Sequence, residues 1–479
     1  MATQKVSAPG ARRHIVLVPG FGGFDALGQV EYYSGITRLF QQWQARHPGL
    51  PVVLHYFDNL PTAAVTTRAA RLRTYLAKRM ARGEILKTDK IVLVGHSTGG
   101  LDIRQLICDL PSDREADRLI RVDGGCPVSA RAMRHCLDGV VFLSVPHWGT
   151  NIADWVYSHA ILRKTAIADL RAAFAGSQVY LLDEIEAGIA RGAFAFTGAD
   201  LLLAWRDALT EANDRMAGPD PTAIAAAQEA ASELELYFRQ MTSDFRVIDD
   251  LTSQPHEGGK SPAHFDDHER ERELDRWKHP PIRTLSYATL GGRPFSFSSP
   301  SGCAAPTFEL TNPCDYPQIV NACGQSPGTD ISYRLCYRAC AGGPLKWQRQ
   351  AGDIARVLGP LPPEPIELWD NDGIVNTVSM LWPKGSETVL VVADHLDIVG
   401  HFRLRRAHPG LAGGSKSPRT YQSYDSLRSA PLLTERIFKD VWTEIFYFAG
   451  IPGTFDRNRK SQPRPVALAR PVPSAVPSK

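Results

Sequence analysis

The stretch Ile91-Val92-Leu93-Val94-Gly95-His96-Ser97-Thr98-Gly99-Gly100 constrains the chain most. Its four leading apolar residues read as a buried strand. A Gly-x-Ser-x-Gly turn follows, then Leu101, Ile103, Leu106, Ile107 and Leu110 at helical spacing, closed by Pro111. Strand, sharp turn and helix together are the context of a nucleophile elbow, in which the serine is held in a strained backbone conformation with Oγ lifted clear of the sheet. Strand and helix come close there, so the positions two residues either side must be very small, and Gly95 and Gly99 are. A chance Gly-Ser turn is the competing reading, because both residues favour turns. The flanking apolar pattern weighs against it.

The rest of the chain alternates strands and helices, which predicts a mostly parallel sheet covered on both faces. Residues 14–18, 51–57, 139–145, 282–290 and 388–392 read as strands. Residues 32–43 and 432–448 read as helices, as does 68–82, whose many Arg and Lys side chains predict a solvated basic face. The strand signal lapses over 151–281, which is Ala-rich and helical and carries an apolar run at Leu201-Leu202-Leu203-Ala204-Trp205. This predicts a helical cap whose apolar side meets acyl chains; an ordinary helical subdomain is the alternative. Within it, 253–281 reads as a polar loop. That loop holds His256, His264, His268 and His279 near Asp266 and Asp267, residue types that bind metals but that charged loops also carry by chance. Residues 292–365 are rich in Gly, Pro and Ser and read as an irregular insertion, and 451–479 as a disordered Pro-rich basic tail.

Two loops complete the chemistry that a serine nucleophile requires. Pro19-Gly20-Phe21-Gly22-Gly23 follows the first strand, where a glycine-rich loop can aim backbone N–H groups at a developing oxyanion. The backbone N–H groups of Phe21 and Thr98 are the candidate donors. A nucleophile, acid and base in the order Ser…Asp…His, each after a strand, are offered by Ser97, Asp372 and His395. Asp370 is a second candidate acid. His147 and His401 lie near other loop ends, His96 sits inside the elbow as a packing residue, and Asp394 and Asp397 flank His395 as structural residues or calcium ligands.

These motifs resemble those of the bacterial true lipases of the α/β-hydrolase superfamily, and in motif are closest to the staphylococcal and thermophilic bacillus lipases. The shared pieces are Pro19-Gly20-Phe21-Gly22-Gly23 with Tyr32-Tyr33-Ser34-Gly35, then Gly95 to Gly100, then Pro146-His147-Trp148-Gly149-Thr150. The most specific is Asn371-Asp372-Gly373-Ile374-Val375-Asn376-Thr377-Val378-Ser379-Met380, followed by Asp394-His395-Leu396. The resemblance spans the core from about His14 to His401 and implies an α/β-hydrolase fold, with Asp372 rather than Asp370 as the acid, His395 as the base, and Phe21 in the oxyanion loop; the hydrolase domain is read as residues 1–450. The family's calcium loop follows that histidine; Asp397 matches one of its acidic positions, but the position of the further acid falls near Phe402, whose side chain has no oxygen to offer. The family's zinc-binding insertion has no counterpart between Val52 and Lys90, and no cofactor or metal is expected.

Composition limits the partners. Lys+Arg 54 against Asp+Glu 51 leaves no global basic charge for nucleic acid. No apolar run approaches a membrane span. The expected partner is a small or lipid ester, with the cap as the surface meeting lipid. Residues 1–13 show no apolar segment of a signal peptide, which points to the cytoplasm. The crowding of Cys303, Cys314, Cys323, Cys336 and Cys340, among eight cysteines, points instead to an oxidising compartment. The expected activity is ester hydrolysis. Acyl transfer by the same triad and a non-catalytic binding protein on the same fold are the alternatives.

Overall fold

The computed structural model describes residues 11–23, 26–27, 30–158, 221–222, 225, 236–237, 240, 244–253, 261–291, 353–359, 370–381, 387–402, 405–406, 420–421 and 433–450. Most of the expected cap, the five clustered cysteines and the expected tail lie outside these residues, as does His256.

Seven strands form one sheet: β1 (Arg13–Val18), β2 (Val52–Tyr56), β3 (Lys90–His96), β4 (Leu137–Leu143), β5 (Arg283–Leu290), β6 (Asp353–Leu358) and β7 (Glu387–Val392). Their order is β6-β7-β5-β4-β3-β1-β2, and every neighbouring pair is parallel. The chain winds outward in both directions from the β1–β3 neighbourhood. In such sheets the crevice outside the strands' carboxyl ends, near that switch point, is where ligands bind.

Alternation along β3 shows how the sequence builds two layers. Ile91 and Leu93 face one core, with Leu72 and Leu76 of α2 (Val65–Ala81) and Ile103, Leu106 and Ile107 of α3 (Thr98–Asp109). Val92 and Val94 face the other, with Phe40 and Trp43 of α1 (Ile36–Arg46) and Phe438, Trp442 and Phe446 of the C-terminal helix Glu435–Gly450. A strand buried on both faces needs a continuous apolar run, which is why β3 carries one. Each such side chain withdrawn from water contributes about 1.5–3 kcal/mol.

Three segments differ from the sequence expectation. Arg68 is not on a solvated face: its side chain is completely buried under α2. Part of the expected loop at 253–281 is a helix, Asp267–Lys278, started by a capping box in which Asp266 and Glu269 satisfy each other's backbone N–H groups. That helix is tied to α3 by a two-pronged buried ion pair, with Arg104 Nε and Nη2 each 2.7 Å from a Glu273 carboxylate oxygen. Within 292–365, the residues of β6 are not irregular but form an edge strand.

The other named residues fall as follows. His264 Nε2 donates to the Thr252 carbonyl at 2.7 Å, and His279 Nδ1 reaches the Asp275 carbonyl at 3.1 Å. Cys108, Cys126 and Cys136 are free thiols. No helix among the described residues is long and apolar enough to cross a membrane.

Candidate active site

The carboxyl ends of β1, β3, β4, β5 and β7 converge on one site. Ser97 joins β3 to α3 with φ 53° and ψ −129°, a left-handed conformation that non-glycine residues rarely adopt. The crowding predicted on either side is present. A Cβ on Gly95 would lie 2.7 Å from the Gly100 nitrogen, and one on Gly99 would overlap the Val18 carbonyl oxygen.

His395 follows β7 and Asp372 lies in the turn of residues 371–376. The two are joined twice: His395 Nδ1 donates to Asp372 Oδ2 at 2.7 Å, and the His395 N–H donates to the Asp372 carbonyl at 3.0 Å. Asp370 does not reach the histidine in this way; its carbonyl accepts from the Thr377 N–H at 2.7 Å. The Asp372 carboxylate also accepts from the N–H groups of Ile374 and Val375 at 3.1 and 2.8 Å and from the Thr289 hydroxyl at 2.5 Å. Three donors besides the imidazole therefore fix its orientation. Thr289 Oγ1 also lies 2.8 Å from the hydroxyl of Ser144, the residue directly after β4, which has φ 51°.

His96 connects His395 to the turn that carries Ser97. Its ring lies 4.8 Å from the His395 ring, and Nε2 sits 2.8 Å from the His395 carbonyl oxygen. Burial, and after it the neighbouring His395, push the His96 pKa well down, so the ring is neutral. A carbonyl can only accept, so Nε2 carries the proton and Nδ1 accepts from the Tyr32 hydroxyl at 2.7 Å. Tyr32 Oη accepts from the Gly20 N–H at 2.8 Å. One unbroken relay thus runs from the glycine-rich loop through Tyr32 and His96 to the backbone of His395. Among the described residues no hydrogen bond joins the Ser97 hydroxyl to His395.

The glycine N–H groups of the loop after β1 are all taken by protein acceptors. Gly20 donates to Tyr32, Gly22 to the Pro61 carbonyl and Gly23 to the Gly20 carbonyl. Among the described residues nothing accepts from the Phe21 N–H. Thr98 opens α3, where first-turn N–H groups have no intrahelical acceptor, and the helix end is electropositive. The remaining candidates serve the framework. The His401 ring reaches the Tyr32 carbonyl at 2.9 Å, and His147 packs edge-on against Phe142, its carbonyl taken by Arg104. Asp397 Oδ2 accepts from the Asp394 N–H at 3.0 Å, closing the turn that carries His395.

Sequence reasoning did not single out Thr289, Ser144, Tyr32 or the tethering role of His96. For Tyr32 and His96 the signal was their place inside shared motifs; Thr289 and Ser144 carried none.

A parallel sheet wound in this order, a positive-φ serine between strand and helix, and a histidine–carboxylate pair from later loops define the α/β-hydrolase fold. No protein-family model and no curated protein matches the chain. Among solved structures it is similar to lipase 1 from Pelosinus fermentans, at 15% identity and TM-score 0.35 over 91% of this chain and 98% of that one. It is also similar to a Staphylococcus hyicus lipase, at 15% identity and TM-score 0.34 over 83% of this chain and 92% of that one. A third is a Bacillus licheniformis lipase in mature form, at 13% identity and TM-score 0.33 over 83% of this chain and 90% of that one.

Proposed function

We propose that the protein is a serine hydrolase of carboxylic esters, with Ser97 as nucleophile, His395 as general base and acid, and Asp372 as the residue that orients it. The observation that carries this reading is the His395–Asp372 pair at 2.7 Å, held beside the elbow by His96. With Asp372 taking the Nδ1 proton, the histidine presents Nε2 as an acceptor. Ser97 Oγ attacks the ester carbonyl as its proton passes to Nε2, and the imidazolium that forms is stabilised by the carboxylate. The N–H groups of Phe21 and Thr98 receive the oxyanion. Collapse of the tetrahedral intermediate expels the alcohol, which takes the proton from Nε2. Water, activated by the same histidine, then releases the carboxylic acid from the acyl-enzyme.

An apolar acyl group fits the flank of this site. Phe21 is half-buried and packs edge-on against the half-buried Phe245, with ring centres 6.1 Å apart, which gives the oxyanion loop an apolar shoulder. Esters with apolar acyl groups, acylglycerols among them, are the substrates of this reading. Purified protein should hydrolyse p-nitrophenyl esters, and Ser97→Ala should lower kcat on the order of a million-fold. Equal turnover by that variant would reject the reading.

A further inference from the structure

Arg68 lies wholly buried beneath the glycine-rich loop and takes no part in the triad. Its Nη2 donates to the carbonyls of Pro19 and Gly20 at 3.0 and 2.9 Å. Nη1 donates to the carbonyls of Leu60 and Pro61 at 2.5 and 3.2 Å. Nε lies 3.1 and 3.0 Å from the two carboxylate oxygens of Asp102. Asp102 belongs to α3, the helix whose first residue is Thr98. It is held on its other side by Asn59 Nδ2 at 2.9 Å. The guanidinium therefore ties the loop bearing Phe21 to the helix bearing Thr98.

A planar trans peptide points its N–H opposite to its C=O. The peptide between Pro19 and Gly20 displays this: its carbonyl faces Arg68 while its N–H faces the Tyr32 hydroxyl, on the side of His96. The next peptide is gripped in the same way, with the Gly20 carbonyl on Arg68, so the Phe21 N–H is turned away from the guanidinium. The loop meets the nucleophile directly there, since a Cβ on Gly20 would lie 2.6 Å from Ser97 Cβ. Four inward-facing carbonyls would repel one another without a cation among them, and only a forked, permanently charged group can bond all four while pairing a carboxylate.

We infer that Arg68, anchored by Asp102, is a positioning residue that aims the Phe21 N–H and sets its separation from the Thr98 N–H, fixing the oxyanion hole before substrate arrives. This rests on the ester-hydrolase reading above. Its consequence falls on the transition state, because a misaimed donor weakens the bond to the oxyanion while leaving ground-state contacts in place. Lysine keeps the charge and loses the fork.

The test compares the full chain with its Arg68→Lys and Asp102→Asn variants on p-nitrophenyl butyrate. Turnover is normalised to sites titrated with a fluorophosphonate, and inhibition by phenylboronic acid is measured in parallel, because the boronate forms a tetrahedral adduct on the serine. Losing one oxyanion donor costs about a hundred- to a thousand-fold in kcat, so Arg68→Lys should lose roughly ten- to a hundred-fold per titrated site. KM should stay within about twofold while the boronate inhibition constant rises with the loss in kcat. Asp102→Asn, which leaves the guanidinium in place, should show a smaller change in the same direction and keeps the test open if Arg68→Lys does not fold. A merely structural arginine would lower the melting temperature and the fraction of titratable sites and leave kcat per site and boronate affinity unchanged; that result overturns the inference. A wild-type protein that neither cleaves the ester nor labels at Ser97 would instead remove the hydrolase reading, and this inference with it.

Discussion

The His96 ring nitrogen and the His395 carbonyl oxygen lie 2.8 Å apart although 299 residues separate them in the chain. The residue beside Ser97, the proposed nucleophile, thereby holds the backbone of His395, the proposed base. Replacing His96 with phenylalanine removes this bond and the Tyr32 bond together, and leaving buried partners unsatisfied costs about 1–3 kcal/mol each. The variant should melt at lower temperature and lose kcat with KM little changed. Glutamine, which can still donate to the carbonyl, should recover part of both. Steady-state kinetics alongside thermal melts check this.

Thr289 supports Asp372, the proposed acid. Thr289→Val keeps the shape of the side chain but withdraws the hydroxyl from Asp372, and bonds to charged groups are worth about 1.5–3 kcal/mol. A fall in both stability and kcat is expected. Thr289→Ser, which retains the hydroxyl, should restore both. A valine variant with wild-type turnover would show that the other donors suffice to hold the carboxylate.

The Arg104–Glu273 pair is fully buried on both sides. Glu273→Ala leaves a guanidinium without its counter-ion in the core, a change on the order of 3–5 kcal/mol. Chemical denaturation should show a loss of that size, with kcat per folded molecule unchanged because the pair lies outside the proposed triad.

Stability should fall on acidification. His14 and His55 form a buried chain in which His55 Nε2 lies 2.8 Å from His14 Nδ1 and His14 Nε2 lies 3.1 Å from Asp89. Burial, reinforced by Arg79, pushes the His55 pKa down from 6.5 to about 4. Burial also lowers that of His14, against the opposing pull of Asp89. A histidine with a depressed folded pKa favours the native state above its unfolded pKa, and that contribution is lost as pH falls through the folded value. For His55 the loss therefore runs from about pH 6.5 down to about 4. Melting temperatures across that interval should decline, and His55→Gln should flatten the decline. An identical acid limb in the variant would exclude the pair as its source.

How much of this was legible depended on whether apolar spacing carried the signal. Ile91 to Val94, Ser97 between two crowded glycines, and the helix after them could be read because burial on both faces of a parallel strand demands an uninterrupted apolar run. Arg68 was hidden among many basic residues, yet it shares the four-residue spacing of Leu72 and Leu76, which placed it on the buried face of α2. The Asp267–Lys278 helix escaped because its charged sequence has almost no apolar period; the Asp266…Glu269 capping pair was the available sign. Asp353–Leu358 was masked by the Gly- and Pro-rich sequence before it. Thr289 reads in sequence only as a β-branched strand residue, and its bond to Asp372 depends on a tertiary approach no local pattern reveals.

Mapping a fluorophosphonate adduct by peptide mass spectrometry, on wild type and on His395→Ala, addresses the central claim most directly. The account predicts a single modification on Ser97 in the wild type, formed in step with loss of esterase activity, and very slow labelling once the histidine is gone. Modification of a different serine, or ester cleavage that continues after Ser97 is fully blocked, would contradict it.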